Sequence, residues 1–282
     1  MGEKFSKFHF PADIKLKSNS LLEAWLDIRW QLVPTNVPGF MKDPGFPFAL
    51  GAFYQSIKDK FGYREDLEAS QTPEDMFPHV VRHRFRPKEG QWPILQLGPG
   101  VASVNFTDSY SWSDFLEAAL YLREELLSAY SETELKLQMI ALRYRNGIPF
   151  QFSSNSSLDF LKQHLNVSVE LPVHIPGSVS LQTWPTNIHL TTTFNLSDPQ
   201  GKGTLKFGTA MGTEKSAESN QEIKREMLVW ELEVKSEYNN TPNLDKKDEF
   251  ASWLASAHGV IHEWFFSLIE GPLFEKYSGE ES

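Results

Sequence analysis

Two histidines one helical turn apart, His258 and His262 in the stretch HGVIHEW, are the nearest the sequence comes to a metal site. Residues four apart share one face of a helix, so two imidazoles at this spacing can grip one ion. Zinc proteases use that arrangement with a general-base glutamate between the histidines. Here Glu263 follows the second histidine and points to another side of the helix. The pair therefore reads as core or interface histidines, with a metal role as the alternative. His79 and His83 are also four apart, but on a strand that spacing separates them by ~13 Å, too far for one ion.

Arginines form the second pattern. Arg82, Arg84 and Arg86 share one parity in HVVRHRFRP, and Arg143 and Arg145 share one parity in ALRYRNG. On strands each set makes a stripe along one face. Such stripes either pair with acidic side chains on neighbouring strands or meet an acidic partner, and these five arginines are the candidate partner-binding residues. No nucleophile elbow, phosphate-binding loop or dinucleotide fingerprint occurs. The absence of cysteine excludes disulfides, thiolate ligands and cysteine nucleophiles. Carboxylates such as Glu117, Glu124, Glu125, Asp248 and Glu249 fall on helix surfaces or in loops, and spacing alone selects no acid–base pair. No cofactor is implied.

The bulk properties narrow the classes further. With 27 basic and 37 acidic residues the net charge is −10, a field that repels phosphate backbones and makes nucleic acid an unlikely partner. It suits a basic protein partner instead. The chain has 40% hydrophobic and 23% charged residues, an ordinary balance for a globular protein. No apolar run reaches the ~18 residues of a membrane span, and the first residues lack the apolar core of a secretory signal. A cytoplasmic protein is expected. MGEKFS formally fits a myristoylation pattern, a short motif that recurs by chance.

The elements that must position these residues are mostly extended. In LLEAWLDIRWQLVP, Leu22, Ala24, Leu26, Ile28, Trp30 and Leu32 alternate with polar neighbours, the signature of a half-buried antiparallel strand. FALGAFYQSIKDKFG reads as a short helix, and HVVRHRFRP and PILQLGPGVASVNFTD as strands. SWSDFLEAALYLREELLSAY is the clearest helix, capped by Ser111 or Ser113. In LKLQMIALRYRNGIPF, Leu135, Leu137, Met139 and Ala141 share a parity with Arg143 and Arg145. One strand would then be apolar and cationic on the same face. Different cover along its length, or a bulge near Ala141, would resolve the conflict.

The second half opens with a short helix, SSLDFLKQHL, with Ser157 as its cap. Extended segments VSVELPVHIP, SVSLQTWPTNIHLTTTFNL, GTLKFGTAMG and IKREMLVWELEVKSEY follow, with a hairpin turn at SDPQGKG and a polar loop at GTEKSAESNQEI. A broad apolar stripe marks a final helix in DEFASWLASAHGVIHEWFFSLI. The fold class expected is α+β, a large and mainly antiparallel sheet with amphipathic helices packed on it. It forms one domain over 1–282, or two intimately packed halves of about 1–150 and 151–282.

Tyr110, Trp112 and Phe115 before the long helix, then Leu142, Arg143, Tyr144 and Asn146 on the following strand, resemble a family of uncharacterised prokaryotic proteins of about this length. The early LLEAWLDIRW strand and the late helix with His258 extend the resemblance. The sequence departs from it at Arg145, where the family has an aliphatic residue, and at Gly147. The resemblance implies a bacterial accessory protein and no assigned activity. Together with the missing catalytic motifs it leads to a non-enzymatic, protein-binding subunit of a multiprotein system, as in anti-phage defence or toxin neutralisation, with its partner encoded nearby. The alternatives are a metal-dependent hydrolase or nuclease, and a module holding a small apolar ligand in a helix-on-sheet cavity.

Overall fold

The computed structural model describes residues 16–18, 20–131, 135–172, 185, 187–215 and 222–279. The myristoylation-like pattern at 1–6, residues 173–184 and 186 in and between the two extended segments expected over 167–176 and 178–196, and the middle of the polar loop at 216–221 lie outside them.

The chain runs through β1 (Leu21–Trp30), the two-residue strands β2 (Val33–Pro34) and β3 (Met41–Lys42), α1 (Phe46–Ile57), β4 (Tyr63–Asp66), β5 (His83–Arg86), β6 (Ile94–Gly98) and β7 (Val101–Phe106). Next come α2 (Trp112–Ala129), β8 (Leu137–Pro149), α3 (Ser157–His164), β9 (His189–Ser197), β10 (Gln200–Lys215), β11 (Glu222–Glu237), α4 (Lys247–Ile269) and α5 (Pro272–Ser278). Nine strands form one sheet in the order β4-β5-β6-β7-β1-β8-β11-β10-β9, and every neighbouring pair is antiparallel. The two halves of the chain meet within this sheet, where β8 pairs with β11. The fold is α+β, as the alternation and the tight turns predict.

Helices cover one face. Ala24, Leu26, Ile28 and Trp30 of β1, Ile140, Leu142 and Tyr144 of β8, and Leu228, Trp230, Leu232 and Val234 of β11 join one apolar cluster with the inner sides of the helices. Phe53 of α1 meets Phe85 of β5, α2 packs on β7, and Trp253 of α4 donates its indole N–H to Ser236 of β11 at 2.9 Å. α3 and α5 extend the same layer through Leu161, Leu273 and Tyr277. Each large side chain withdrawn from water here contributes about 1.5–3 kcal/mol before entropic costs. Trp264 of α4 lies directly on Gly203 of β10, where any Cβ would collide with the indole.

The conflict along β8 is resolved by a bulge three residues before Ala141. Arg29 is opposite Met139, but the next residue, Trp30, is opposite Leu137. Gln138 is the extra residue, and it reverses the parity of everything that follows. Leu135 and Leu137 pack against the helix-covered core. Met139, Ala141, Arg143 and Arg145 face the other way, opposite Arg29, Asp27, Trp25 and Glu23. The expectation that Leu137 and Met139 share a helix-covered face is thereby corrected.

Local signals locate the starts of α2 and α3 to within a residue, while α1 stops short of the glycine expected to close it. Ser111 caps α2, accepting from the Asp114 N–H at 3.2 Å. α3 is capped by Ser156 rather than Ser157, which is fully buried as the first helical residue. α1 ends at Ile57 with Lys58 as its C-cap, four residues before Gly62 is reached.

A loop carboxylate ties these layers together. Asp43 is 4% exposed. Its Oδ2 accepts from the Trp30 indole at 2.9 Å, the Tyr130 hydroxyl at 2.8 Å and the Gly100 N–H at 3.0 Å, and its Oδ1 from the Gly45 N–H at 3.1 Å. These donors belong to the end of β1, the end of α2, the β6–β7 turn and the start of α1. Removing the carboxylate strands several buried donors, each costing about 1–3 kcal/mol. Asp43→Ala is expected to lower unfolding free energy by about 3–5 kcal/mol, and Trp30→Phe by about 1–2 kcal/mol. Urea denaturation checks both; a loss below about 1 kcal/mol for Asp43→Ala contradicts the role assigned to it.

Candidate functional site

On the face opposite the helices, register places charges in rows. Glu23 of β1, Arg145 of β8, Glu231 of β11 and Lys206 of β10 lie directly across from one another on adjacent strands. The signs alternate. Arg145 reaches Glu23 at 3.4 Å and Glu231 at 3.0 Å, and Lys206 reaches Glu231 at 2.9 Å. Burial pushes the Glu231 carboxyl up, but hydrogen bonds and charge from Lys206 and Arg145 leave it below the ordinary range. Asn105 of β7, which stands opposite Trp25, reaches diagonally to donate to Glu23 at 2.5 Å.

Arg143 anchors the neighbouring row. It donates to Asp27 at 2.8 Å and forms a very close ion pair with Glu233, its cross-strand partner. Burial lowers its pKa, and the two carboxylates more than reverse that effect. Trp25 lies beneath both guanidinium groups, with ring-centre distances of 5.6 Å to Arg143 and 5.0 Å to Arg145. The arginines are thus fixed by charge on two sides and by an aromatic face below.

The other arginine stripe divides. Arg82 precedes β5 and is 2% exposed, with Nη1 and Nη2 donating to the Thr72 and Pro73 carbonyls at 2.6 and 2.9 Å. It holds the loop over 67–79 and is itself buried, so it does not continue an exposed stripe. Arg86 pairs with Glu65 at 3.3 Å and lies over Trp92 at 5.5 Å. Arg84 is half-buried, opposite Glu65 and Gln96, and its Nε has no hydrogen-bond partner. His79 and His83 do not share a site: His79 bonds the Trp30 carbonyl at 3.0 Å, and His83 bonds Asp66 at 2.7 Å.

The histidine pair lies on the helix-covered side. His258 stacks on Trp112 with centroids 3.8 Å apart and planes within 6°. Its Nδ1 is 2.9 Å from the Tyr144 hydroxyl, which is 2.5 Å from that of Tyr110. Burial lowers the His258 pKa to about 4, with His262 adding to the effect, and burial raises both phenols. The His258 and His262 rings are 5.8 Å apart, and no group of three His, Asp or Glu side chains gathers at one point among the described residues. Spacing identifies the histidines but not their partners. Trp112 and Tyr144, singled out by the family resemblance, are the residues that meet His258, and Tyr110 stands behind Tyr144.

No family model and no curated protein matches the chain.

Two outcomes follow from this geometry. Arg143→Met leaves the Asp27 and Glu233 carboxylates, 13% and 9% exposed, without the guanidinium between them, with only Arg29, 3.7 Å from Asp27, remaining as a counter-charge among the described residues. It is expected to cost about 3 kcal/mol in denaturant unfolding, and adding Glu233→Gln should restore part of that loss. Arg145→Met, at a side chain 43% exposed, should cost under about 1 kcal/mol. Equal losses would contradict the assignment. His258 is neutral in the folded chain, whereas the unfolded chain takes up its proton near pH 6.5. Stability should therefore fall as pH drops from about 6.5 to 4, by about 3 kcal/mol from this group. His258→Phe should flatten that part of the stability–pH curve; an unchanged slope contradicts it.

Proposed function

We propose that this chain is a non-enzymatic protein-binding subunit, and that it offers a protein partner the sheet face opposite its helices. The observation that carries the reading is the one-sided architecture. The five α-helices of the described residues gather on one side of a nine-stranded sheet, and the other side bears rows of alternating charge set around Trp25. Indole and guanidinium groups are the side chains most enriched where protein interfaces hold tightly. A patterned charge array selects among partners more than it adds raw affinity.

The net charge of −10 suits a basic partner. The resemblance to bacterial accessory proteins supports a place in a multiprotein system such as anti-phage defence or toxin neutralisation, with the partner encoded nearby and the complex in the cytoplasm. No helix of the described residues is long and apolar enough to cross a membrane. The hydrolase alternative finds no ligand set among the described residues.

The test is purification of the tagged chain from its native host, beside the double variant Arg145→Ala, Lys206→Ala. Both side chains are more than a third exposed, so the fold should tolerate their loss. The wild type is expected to carry a stoichiometric protein partner, and the variant to retain it at least tenfold less at unchanged melting temperature. A wild-type chain with no such partner, or a variant that binds equally, overturns the reading.

A further inference from the structure

A cavity of about 400 Å³ lies between the start of α2, the middle of β8 and the second half of α4. Leu16, Leu21, Ile261 and Phe265 form its apolar walls, and Tyr110, Tyr144, His258, His262, Ser111 and Asn146 its polar ones. Its volume falls in the range of small-molecule sites, roughly 300–1,000 Å³. Three features define what would fit. None of the lining residues is an acid, a lysine or an arginine, and both imidazoles are held towards neutrality by burial. A charged ligand would lose its hydration without a counter-charge. Much of the wall is aromatic, which suits a flat ring.

Asn146 supplies the third feature. It is 1% exposed, its Oδ1 accepts from the Ser20 hydroxyl at 3.3 Å, and its Nδ2 has no partner. A buried amide donor without an acceptor is costly, and native proteins retain few. It is held on β8 between Leu21 of β1 and Trp230 of β11. His258 adds a second polar contact. Its ring lines the cavity, with Nδ1 engaged by the Tyr144 hydroxyl at 2.9 Å.

We infer that this cavity is a binding site for a small, neutral aromatic molecule bearing a carbonyl, the oxygen accepting from Asn146 Nδ2 and the ring lying among Phe265, Tyr110 and His258. The site is independent of the protein-binding face, because it lies on the opposite side of β8.

Benzamide, benzoate and benzylammonium share one ring and differ in charge, so they serve as probes on the full chain. Binding is read by saturation-transfer NMR and by titration of the melting temperature at pH 7.5. Benzamide is expected to bind saturably, with benzoate and benzylammonium at least tenfold weaker. Asn146→Leu should weaken benzamide at least tenfold, and Leu21→Trp, which fills the cavity from its partly buried rim, should abolish binding. If Asn146→Leu fails to fold, Leu21→Trp and the charge series still decide the matter. Absence of benzamide binding, equal binding of benzoate, or benzamide binding untouched by Leu21→Trp overturns the inference.

Discussion

Arg143 enclosed between Asp27 and Glu233 is the interaction on which the arrangement of the sheet depends. A guanidinium this little exposed is tolerable only with both carboxylates in place, and both are there only in one register of β1, β8 and β11. A slip of one residue would turn Arg143 into the apolar core and bring Leu142 out. The ion pairs therefore act less as a source of stability than as a lock on which side of each strand meets the helices. The apolar side does the rest: with register fixed, Leu26, Leu142 and Leu232 form one continuous floor for α2 and α4.

The same division accounts for two different surfaces on one strand. Along β8, Arg143 and Arg145 point to the charged face while Tyr144 and Asn146 point into the helix layer. Neighbouring residues of a single strand thus serve the face proposed for a protein partner and the cavity proposed for a small molecule. Asp43 works at the far end of the sheet, where it fixes the end of β1, the β6–β7 turn, the start of α1 and the end of α2 around one carboxylate.

Much of this was legible in the residues. Alternation in β1, the cap of α2, the stripes of α2 and α4, and the turn at Asp198-Pro199 are local signals, and local signals survive folding. The bulge at Gln138 was legible only as a conflict, because its position depends on which residues of β1 stand opposite. Arg82 shows the same limit: its parity with Arg84 was plain, but the loop whose carbonyls bury it was not. Asp43 lies in a Pro- and Gly-rich loop with nothing in its neighbours to mark it, since its four donors come from residues between 2 and 87 positions away. The histidine spacing was visible; that His258 faces two phenols rather than an ion follows from tertiary contacts alone.

The central claim, that the charged face of the sheet is the side a partner covers, is tested most directly by hydroxyl-radical and carbodiimide footprinting of the complex purified from the native host, compared with the isolated chain. Protection should concentrate at Trp25, Glu23 and Glu231, while Phe48, 83% exposed on α1, stays reactive. Protection of the helix layer with Trp25, Glu23 and Glu231 unchanged would contradict it.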